Sequence, residues 1–141
     1  MTTRVSYNQK DALLIKTTAF PTSTGTIESQ AFDLFDIAER GVRIDAFELL
    51  ITAPEATAAQ LPANASNTFT LQFSDTADFS ANVTEWSAGT AWRQSGSATG
   101  AVEFEKRYRV ATDAPRYVRA KCVTAGSAAQ NGKTFEFAIV T

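Results

Sequence analysis

The chain has no histidine, one cysteine and one methionine among its 141 residues. Without histidine, the Ser-His-Asp and Cys-His arrangements of nucleophilic enzymes are excluded, together with most zinc and iron sites. Cys122 has no second cysteine with which to form an internal disulfide, and it lies in an alternating segment beside Val118 and Ala120. We therefore predict that it is a small buried side chain of the core and not a reactive thiol.

Long apolar runs are also missing, and we expect neither a membrane-spanning segment nor an export signal. No apolar run approaches the roughly 18 residues needed to span a bilayer, and Met1 leads into the polar residues Thr2, Thr3 and Arg4. Gly96 and Gly100 lie in a Ser-rich segment without a following helix or the Lys-Ser/Thr pair of a phosphate-binding loop. The net charge of -2 argues against general nucleic-acid binding. We expect no cofactor or metal, and neither a membrane nor nucleic acid as a partner.

What the sequence does contain is a series of short alternating apolar and polar segments, separated by stretches rich in Ser, Thr, Gly and Asn. Ten Phe and a single Met accompany many Val and Thr, and this composition favours strands. About seven or eight strands at this spacing, with no long helix, predict an all-β fold, a single-domain jelly roll or β-sandwich. We expect this domain to span residues 31–141.

Residues 1–30 are weakly patterned and are predicted to form an extended N-terminal arm and loop. Their Ser/Thr-rich composition does not support a packed element by itself. Leu13, Leu14 and Ile15 form the one short apolar run, and we predict that they anchor the arm on a neighbouring subunit or on a partner. Removing residues 1–20 should then leave a folded domain.

The apolar positions predict individual strands and their connections. The predicted strands are residues 31–37, 42–52, 68–73, 83–86, 102–110, 117–123 and 133–140. In the predicted strand 42–52, the apolar residues change from even to odd positions near Asp45, which indicates a bulge there. Residues 53–60 are predicted to form a short helix or a loop, and residues 87–100 a long loop. The last two strands flank a Gly/Asn loop and predict a β-hairpin.

Two carboxylate pairs are the only candidates for catalysis. Asp75 with Asp78, or Glu103 with Glu105, would suit a glycosidase if each pair faced a cleft. However, the two aspartates are typical turn residues after a strand, and the two glutamates lie on the polar face of one. We therefore predict no enzymatic activity and no catalytic residue.

Trp86 and Trp92 flank a short Ser/Ala/Gly/Thr segment. If exposed, they would form a platform on which sugar rings stack, as in a carbohydrate-binding module. If buried, they would cap one end of the sandwich, and this is the interpretation we favour.

A local excess of positive charge marks the last 41 residues, which carry 7 Lys/Arg and 4 Asp/Glu, whereas residues 1–100 carry 6 and 11. The cations concerned are Lys106, Arg107, Arg109, Arg116, Arg119 and Lys121. They form either an ordinary solvated face or a complementary patch for an acidic protein partner. Tyr117 lies in the same row and adds interface-like composition. If the two strands lie side by side, the result is a positive stripe, which we predict to be partner-binding.

Three segments resemble small capsid cement, or decoration, proteins of tailed bacteriophages. They are the strand Thr68 to Ser74 with Asp75 through Phe79, then Asp113 through Arg119 with its Pro-Arg-Tyr-Val-Arg sequence, and then Gly132 through Val140. The resemblance covers roughly residues 42–141 and is one of pattern. It identifies no individual contact residue.

The resemblance implies a structural role in the virion. Proteins of that family are jelly-roll or related β-domains, commonly homotrimers, that bind the outer capsid surface and clamp neighbouring major capsid subunits. The expected location is therefore the outer surface of the phage head, after synthesis in the host cytoplasm, and the expected partner is the major capsid protein. The alternative is a carbohydrate- or receptor-binding β-sandwich module.

Overall fold

The computed structural model of the protein describes residues 10–38 and 47–140, with side chains from residue 14 onward. The predicted all-β fold is confirmed. The strands are β1 (Lys10–Ala19), β2 (Gly25–Glu28), β3 (Phe32–Asp33), β4 (Glu48–Ala53), β5 (Ser66–Ser74), β6 (Thr84–Trp86), β7 (Arg93–Ser95), β8 (Phe104–Arg109), β9 (Tyr117–Ala125) and β10 (Thr134–Val140). A five-residue helix, α1 (Leu34–Ala38), and a 3-10 turn (Gly89–Trp92) complete the secondary structure of these residues.

Two antiparallel sheets pack face to face. The first sheet has the strand order β1-β10-β4-β8, and the second has β2-β9-β5-β6. β3 pairs with β9 on the same side as β2, and β7 pairs with β5 on the same side as β6. The structure is thus a β-sandwich with four strand positions in each sheet.

The strand pairing is that of one long antiparallel hairpin rolled into two sheets. β1 pairs with β10, β2 and β3 with β9, β4 with β8, and β5 with β6 and β7. These four nested pairs define a jelly roll. A consequence is that strands adjacent in sequence often lie in opposite sheets.

Phenylalanine fills most of the space between the sheets. Phe69 of β5 stacks on Phe104 with ring centroids 5.0 Å apart, and it meets the edge of Phe135 at 5.3 Å. Phe20 lies 5.1 Å from Phe135, and Phe137 lies 5.2 Å from Phe32. Tilted and edge-on contacts of this kind stabilise a core beyond the area that they bury, which accounts for the abundance of Phe in the sequence.

A buried amide network holds one end of the sandwich together. Asn67 donates to Gln130 Oε1 at 2.7 Å and accepts a hydrogen bond from Thr124 Oγ1 at 2.7 Å. Gln94 donates to the carbonyl oxygens of Pro54 and Val102 at 2.8 and 3.0 Å. Because the network satisfies its buried polar groups, it ties the loops at this end to β5 and β9.

The predicted C-terminal hairpin is wrong, although both of its strands exist. β9 pairs with β2, β3 and β5 in the second sheet, whereas β10 pairs with β1 and β4 in the first. The loop between them therefore crosses from one sheet to the other. A short Gly-containing loop is compatible with a hairpin and with this crossing, so local sequence does not distinguish them.

The prediction of a separate arm over residues 1–30 also needs correction. β1 pairs along β10, and β2 pairs with β9, so residues 10–28 are strands of the sandwich. Both strands lie at sheet edges, where one side of the strand meets no neighbour. Residues 1–9 lie outside the described part of the chain.

The segment predicted as a strand over residues 31–37 is instead β3 followed by α1. Asp33 ends the strand and begins the helix, because its Oδ1 accepts hydrogen bonds from the backbone N–H groups of Phe35 and Asp36. The bulge predicted near Asp45 lies outside the described residues. In the segment predicted as a short helix or a loop, Ala53 ends β4 and residues 54–60 form a loop, whereas residues 87–100 contain the 3-10 turn and β7.

The final strand is apolar on both faces, as its sequence indicates. Phe135, Phe137 and Ile139 belong to the main core, whereas Ala138 and Val140 form a second cluster with Leu50 on the outer side of the first sheet. Ala138 and Val140 are each only 1% exposed within the single chain. The outer apolar residues are therefore covered without a second copy of the protein.

Candidate partner-binding surface

The six basic residues do not form one stripe. β8, which carries Arg107 and Arg109, pairs with β4 at an edge of the first sheet. β9, which carries Arg119 and Lys121, lies within the second sheet between β5 and the β2 and β3 strands. The expectation that the two strands lie side by side is thus wrong, and the cations occupy two separate surfaces.

Acidic neighbours accompany the basic residues of β8. Arg107 lies 3.2 Å from Glu105 Oε1 and 3.8 Å from Glu48 Oε2. Arg109 is opposite Glu48 in the strand register. This part of the first sheet is an exposed surface of mixed charge, in which single ion pairs contribute little to stability.

Outward side chains of β9 define the second surface. Tyr117, Arg119 and Lys121 are partly exposed, whereas Val118, Ala120 and Cys122 alternate with them and are buried. The predicted burial of Cys122 is confirmed, and burial raises the pKa of its thiol to about 12. Across the ladder, Ser74, Gln72 and Thr70 of β5 are opposite the three outward residues.

Arg116, just before β9, is held by two parallel hydrogen bonds to Asp33. Its Nε donates to Oδ1 at 3.0 Å, and its Nη2 donates to Oδ2 at 2.8 Å. The guanidinium also lies 5.2 Å from the ring centroid of Tyr117 and 5.6 Å from that of Phe35. The hydrogen bond from Arg116 is the main reason that the pKa of Asp33 is lowered. The guanidinium of Arg116 contacts two rings and forms two hydrogen bonds with one carboxylate, so it is held in place before any partner binds.

Arg119 has a similar environment further along β9. Its Nε donates to Gln72 Oε1 at 2.8 Å, and its guanidinium lies 4.1 Å from the ring centroid of Phe79. Phe79 has a positive φ of 56° in the turn after β5, and this conformation places its ring beneath the arginine. Phe79 is buried but is absent from the main core cluster, because its ring lies under Arg119 on the outer side of the second sheet.

Lys121 completes the row through an ion pair. Its Nζ lies 3.3 Å from Glu85 Oε2, which also accepts a hydrogen bond from Gln72 Nε2 at 2.9 Å. The hydrogen bond from Gln72, and then that from Lys121, lower the pKa of Glu85. Gln72 thus links Arg119 to Glu85, which compensates the charge of Lys121, whereas the side-chain acceptor of Arg119 is the neutral amide of Gln72.

Together these residues form what we call the arginine–aromatic face. Its members are Phe35, Phe79, Arg116, Tyr117 and Arg119. Phe35 is 45% exposed, which is unusual for a large apolar side chain on a helix whose Leu34 and Ile37 are buried. Aromatic and arginine side chains are the types enriched in the centres of protein interfaces.

Sequence reasoning identified the cations of this face but not the residues that organise them. Asp33, Phe35, Gln72, Phe79 and Glu85 were missed as site residues. They come from three other segments of the chain, between 36 and 83 residues away from their basic partners. The exposed Phe35 gave no signal because its segment was predicted to be a strand, in which alternate residues face the core.

The apolar residues predicted to anchor the arm on a partner instead pack within the chain. Leu14 packs against the main core, and Ile15 packs against Leu50, Ala138 and Val140 on the outer side of the first sheet. The side chain of Leu13 lies outside the described residues. Leu14 and Ile15 are therefore structural residues of β1 in this chain.

The two tryptophans lie together at the open side of the sandwich, where β6 and β8 are edge strands. Trp92 is 5% exposed, which confirms the cap interpretation for this residue, and its ring meets Trp86 edge-on at 4.8 Å. Trp86 is half-buried and lines a cleft of about 340 Å³. A platform of two exposed tryptophans, as the carbohydrate-binding alternative requires, is not formed.

The two candidate carboxylate pairs occupy exposed positions. Asp75 and Asp78 lie in the turn after β5, where Asp78 Oδ1 accepts a hydrogen bond from the backbone N–H of Ser80 at 3.1 Å. Hydrogen bonds from Ser80 lower the pKa of Asp78. Glu103 and Glu105 are exposed at the edge strand β8. Residues 10–38 and 47–140 contain no group of three or more Cys, Asp or Glu side chains placed to hold a metal ion.

No helix among the described residues is long and apolar enough to cross a membrane. Comparison with known proteins gives no match to any family model and no match to a curated protein.

Proposed function

We propose that this protein is a capsid cement, or decoration, protein that binds the outer surface of a tailed-phage head and stabilises contacts between major capsid subunits. The proposal starts from the resemblance of three segments to that family. The jelly-roll sandwich agrees with the fold that the resemblance implies. The single observation that carries the proposal is the arginine–aromatic face, because a structural protein of this kind acts through a preformed binding surface.

The face has properties of a docking surface. Arg116 is fixed by Asp33 and stacks on Phe35 and Tyr117. Little conformational entropy is therefore lost when a partner covers it. Arg116 is already paired with Asp33, whereas Arg119 donates to the neutral amide of Gln72. A partner therefore gains by covering the exposed ring of Phe35 and by adding acceptors to the arginines.

A homotrimer on the virion surface is part of the proposal, and the resemblance alone supports it. The outer apolar residues of the final strand, Ala138 and Val140, do not support an oligomer interface, because they are covered within the chain. We propose synthesis in the host cytoplasm followed by addition to the completed head.

Co-sedimentation with phage heads tests the function directly. Purified protein is mixed with expanded heads that lack it, and the bound fraction is measured after pelleting. We expect saturable binding of the wild type. The double variant Phe35→Ala/Arg116→Ala should bind about 10- to 30-fold more weakly, the loss expected for hot-spot residues.

The matched control is Arg93→Ala, which removes an arginine from the opposite end of the same sheet face, where its Nε bonds only Thr68 Oγ1 at 3.1 Å. This variant should bind like the wild type. Absence of wild-type binding to heads at micromolar protein would refute the proposed function. Equal binding of the double variant and the control would be compatible with the proposed function but would exclude the arginine–aromatic face as the binding surface.

A further inference from the structure

The cleft at the open side of the sandwich is separate from the arginine–aromatic face. It lies between the edge strands β6 and β8, beside the loop that connects β8 to β9. Its lining consists of Phe73, Thr84, Glu85, Trp86, Tyr108, Ala111, Asp113, Ala114 and Pro115. A volume of about 340 Å³ is sufficient for one amino-acid side chain or a small molecule.

Aromatic rings form the walls of this cleft. The ring centroids of Trp86 and Tyr108 are 4.6 Å apart with the planes tilted by 55°, and Phe73 lies 6.1 Å from Tyr108. Trp86 and Tyr108 belong to edge strands, so no further strand covers them, and both are half-buried. Ring surface is therefore available to a ligand that enters from solvent.

The charge of the lining is negative. Among the described residues that line it, Glu85 and Asp113 are the only ionisable groups apart from the phenol of Tyr108, and none is Lys or Arg. Glu85 already binds Gln72 and Lys121. Asp113, in contrast, is exposed and has no hydrogen bond or ion pair with any described residue. An aromatic wall beside an uncompensated carboxylate attracts a cation.

We propose that this cleft binds an arginine side chain of a protein partner. A guanidinium stacks on an aromatic ring through its plane and forms bidentate hydrogen bonds with a carboxylate through its edge, so one group uses both features of the cleft. A neutral sugar would use the rings but not the charge. The cleft is thus a second contact site, and the inference does not depend on the proposed function.

Titration with a single capped residue tests this inference. N-acetyl-arginine amide carries one positive charge, and Trp86 lines the cleft, so its indole N–H resonance reports binding, while the buried Trp92 behind it is an internal reference. We expect saturable shifts of the Trp86 resonance with a Kd of roughly 1–50 mM, the range for one small ligand. N-acetyl-lysine amide should bind more weakly, and methyl glucopyranoside should cause no shift.

Asp113→Asn removes the uncompensated charge and should weaken arginine binding about 3- to 10-fold. Since Asp113 is exposed and unpaired among the described residues, this variant should keep the wild-type fold. Asp75→Asn is the matched control, with the same charge change in an exposed turn outside the cleft, and it should bind like the wild type.

Two results would overturn the inference. One is the absence of a saturable Trp86 shift with arginine amide at concentrations up to about 100 mM. The other is equal affinity of Asp113→Asn and Asp75→Asn. Saturable binding of the glucopyranoside with no arginine response would instead assign the cleft to a neutral sugar.

Discussion

Asp33 has two structural roles at one carboxylate. Its Oδ1 accepts hydrogen bonds from the first backbone N–H groups of α1, and both of its oxygens accept hydrogen bonds from Arg116. The helix start, the end of β3 and the arginine–aromatic face are therefore joined at this residue. An asparagine would keep the helix cap but lose the charge that fixes Arg116.

Asp33→Asn should accordingly lower the free energy of unfolding by up to about 1 kcal/mol at pH 7, because the ion pair is partly exposed. The sign of its pH dependence follows from the lowered pKa of Asp33. The stabilisation is complete above the pKa of the unfolded chain, about 3.9, and disappears as the pH falls through the lower folded-state pKa. The wild type and the variant should thus converge in urea unfolding experiments between about pH 5 and pH 2.

The control for this comparison is Asp113→Asn, which removes an exposed carboxylate that has no partner among the described residues. It should change stability little at any pH. A gap between wild type and Asp33→Asn that stays constant as the pH falls would contradict the assigned ion pair.

At the level of secondary-structure elements, the loops that cross from one sheet to the other contribute to the stability of the fold, as the strands do. The loop from β9 to β10 begins at Gly126, whose backbone lies against the loop that precedes β5. A Cβ atom at Gly126 would lie 1.8 Å from the carbonyl oxygen of Asn64, and its φ is +85°. Gly132, at the other end of the same loop, has a φ of +80° but open space around its Cα. A side chain at Gly126 would thus meet both backbone strain and a steric contact, whereas one at Gly132 would meet backbone strain alone.

Gly126→Ala should lower the free energy of unfolding by about 3 kcal/mol or more, because both strain and a backbone collision oppose the methyl group. Gly132→Ala should cost about 1 kcal/mol, since only the left-handed backbone conformation is unfavourable. Urea denaturation midpoints of the two variants measure the difference. Equal destabilisation would show that the loop moves away from Asn64 without cost.

Alternation in the sequence predicted the strands themselves but not which strands pair. β5, β8, β9 and β10 were found because one face of each meets a dense apolar core, for instance Phe69 and Leu71. Pairing in a jelly roll joins residues far apart in sequence, such as Ile15 with Ala138. No local pattern contains that information.

The candidate surface was likewise predicted only in part from the sequence. The outward position of Tyr117, Arg119 and Lys121 on β9 followed from a period of two. Their partners did not, because Asp33, Gln72 and Glu85 reach them only through the sheet register. The predicted stripe failed for this reason: β8 is near β9 in sequence but belongs to the other sheet.

For the whole molecule, the sandwich has two outer faces that point in opposite directions, separated by a core about 10 Å thick. Arg107 and Arg109 belong to one face, and Arg119 and Lys121 to the other. A partner with a flat surface, such as the outside of a capsid shell, can cover only one of them. If the protein binds a shell through the arginine–aromatic face, as proposed, the outer face of the second sheet is the one that is covered.

Lysine footprinting on occupied heads distinguishes the two faces. Lys121 lies on the outer face of the second sheet, whereas Lys106 lies on β8 in the first. We expect acetylation of Lys121, measured by mass spectrometry, to fall several-fold when the protein is bound to heads, because a covered amine is inaccessible to reagent. Acetylation of Lys106 should stay at the level of the free protein. The reverse pattern would place the edge strand β8 against the shell and would remove the arginine–aromatic face from the contact.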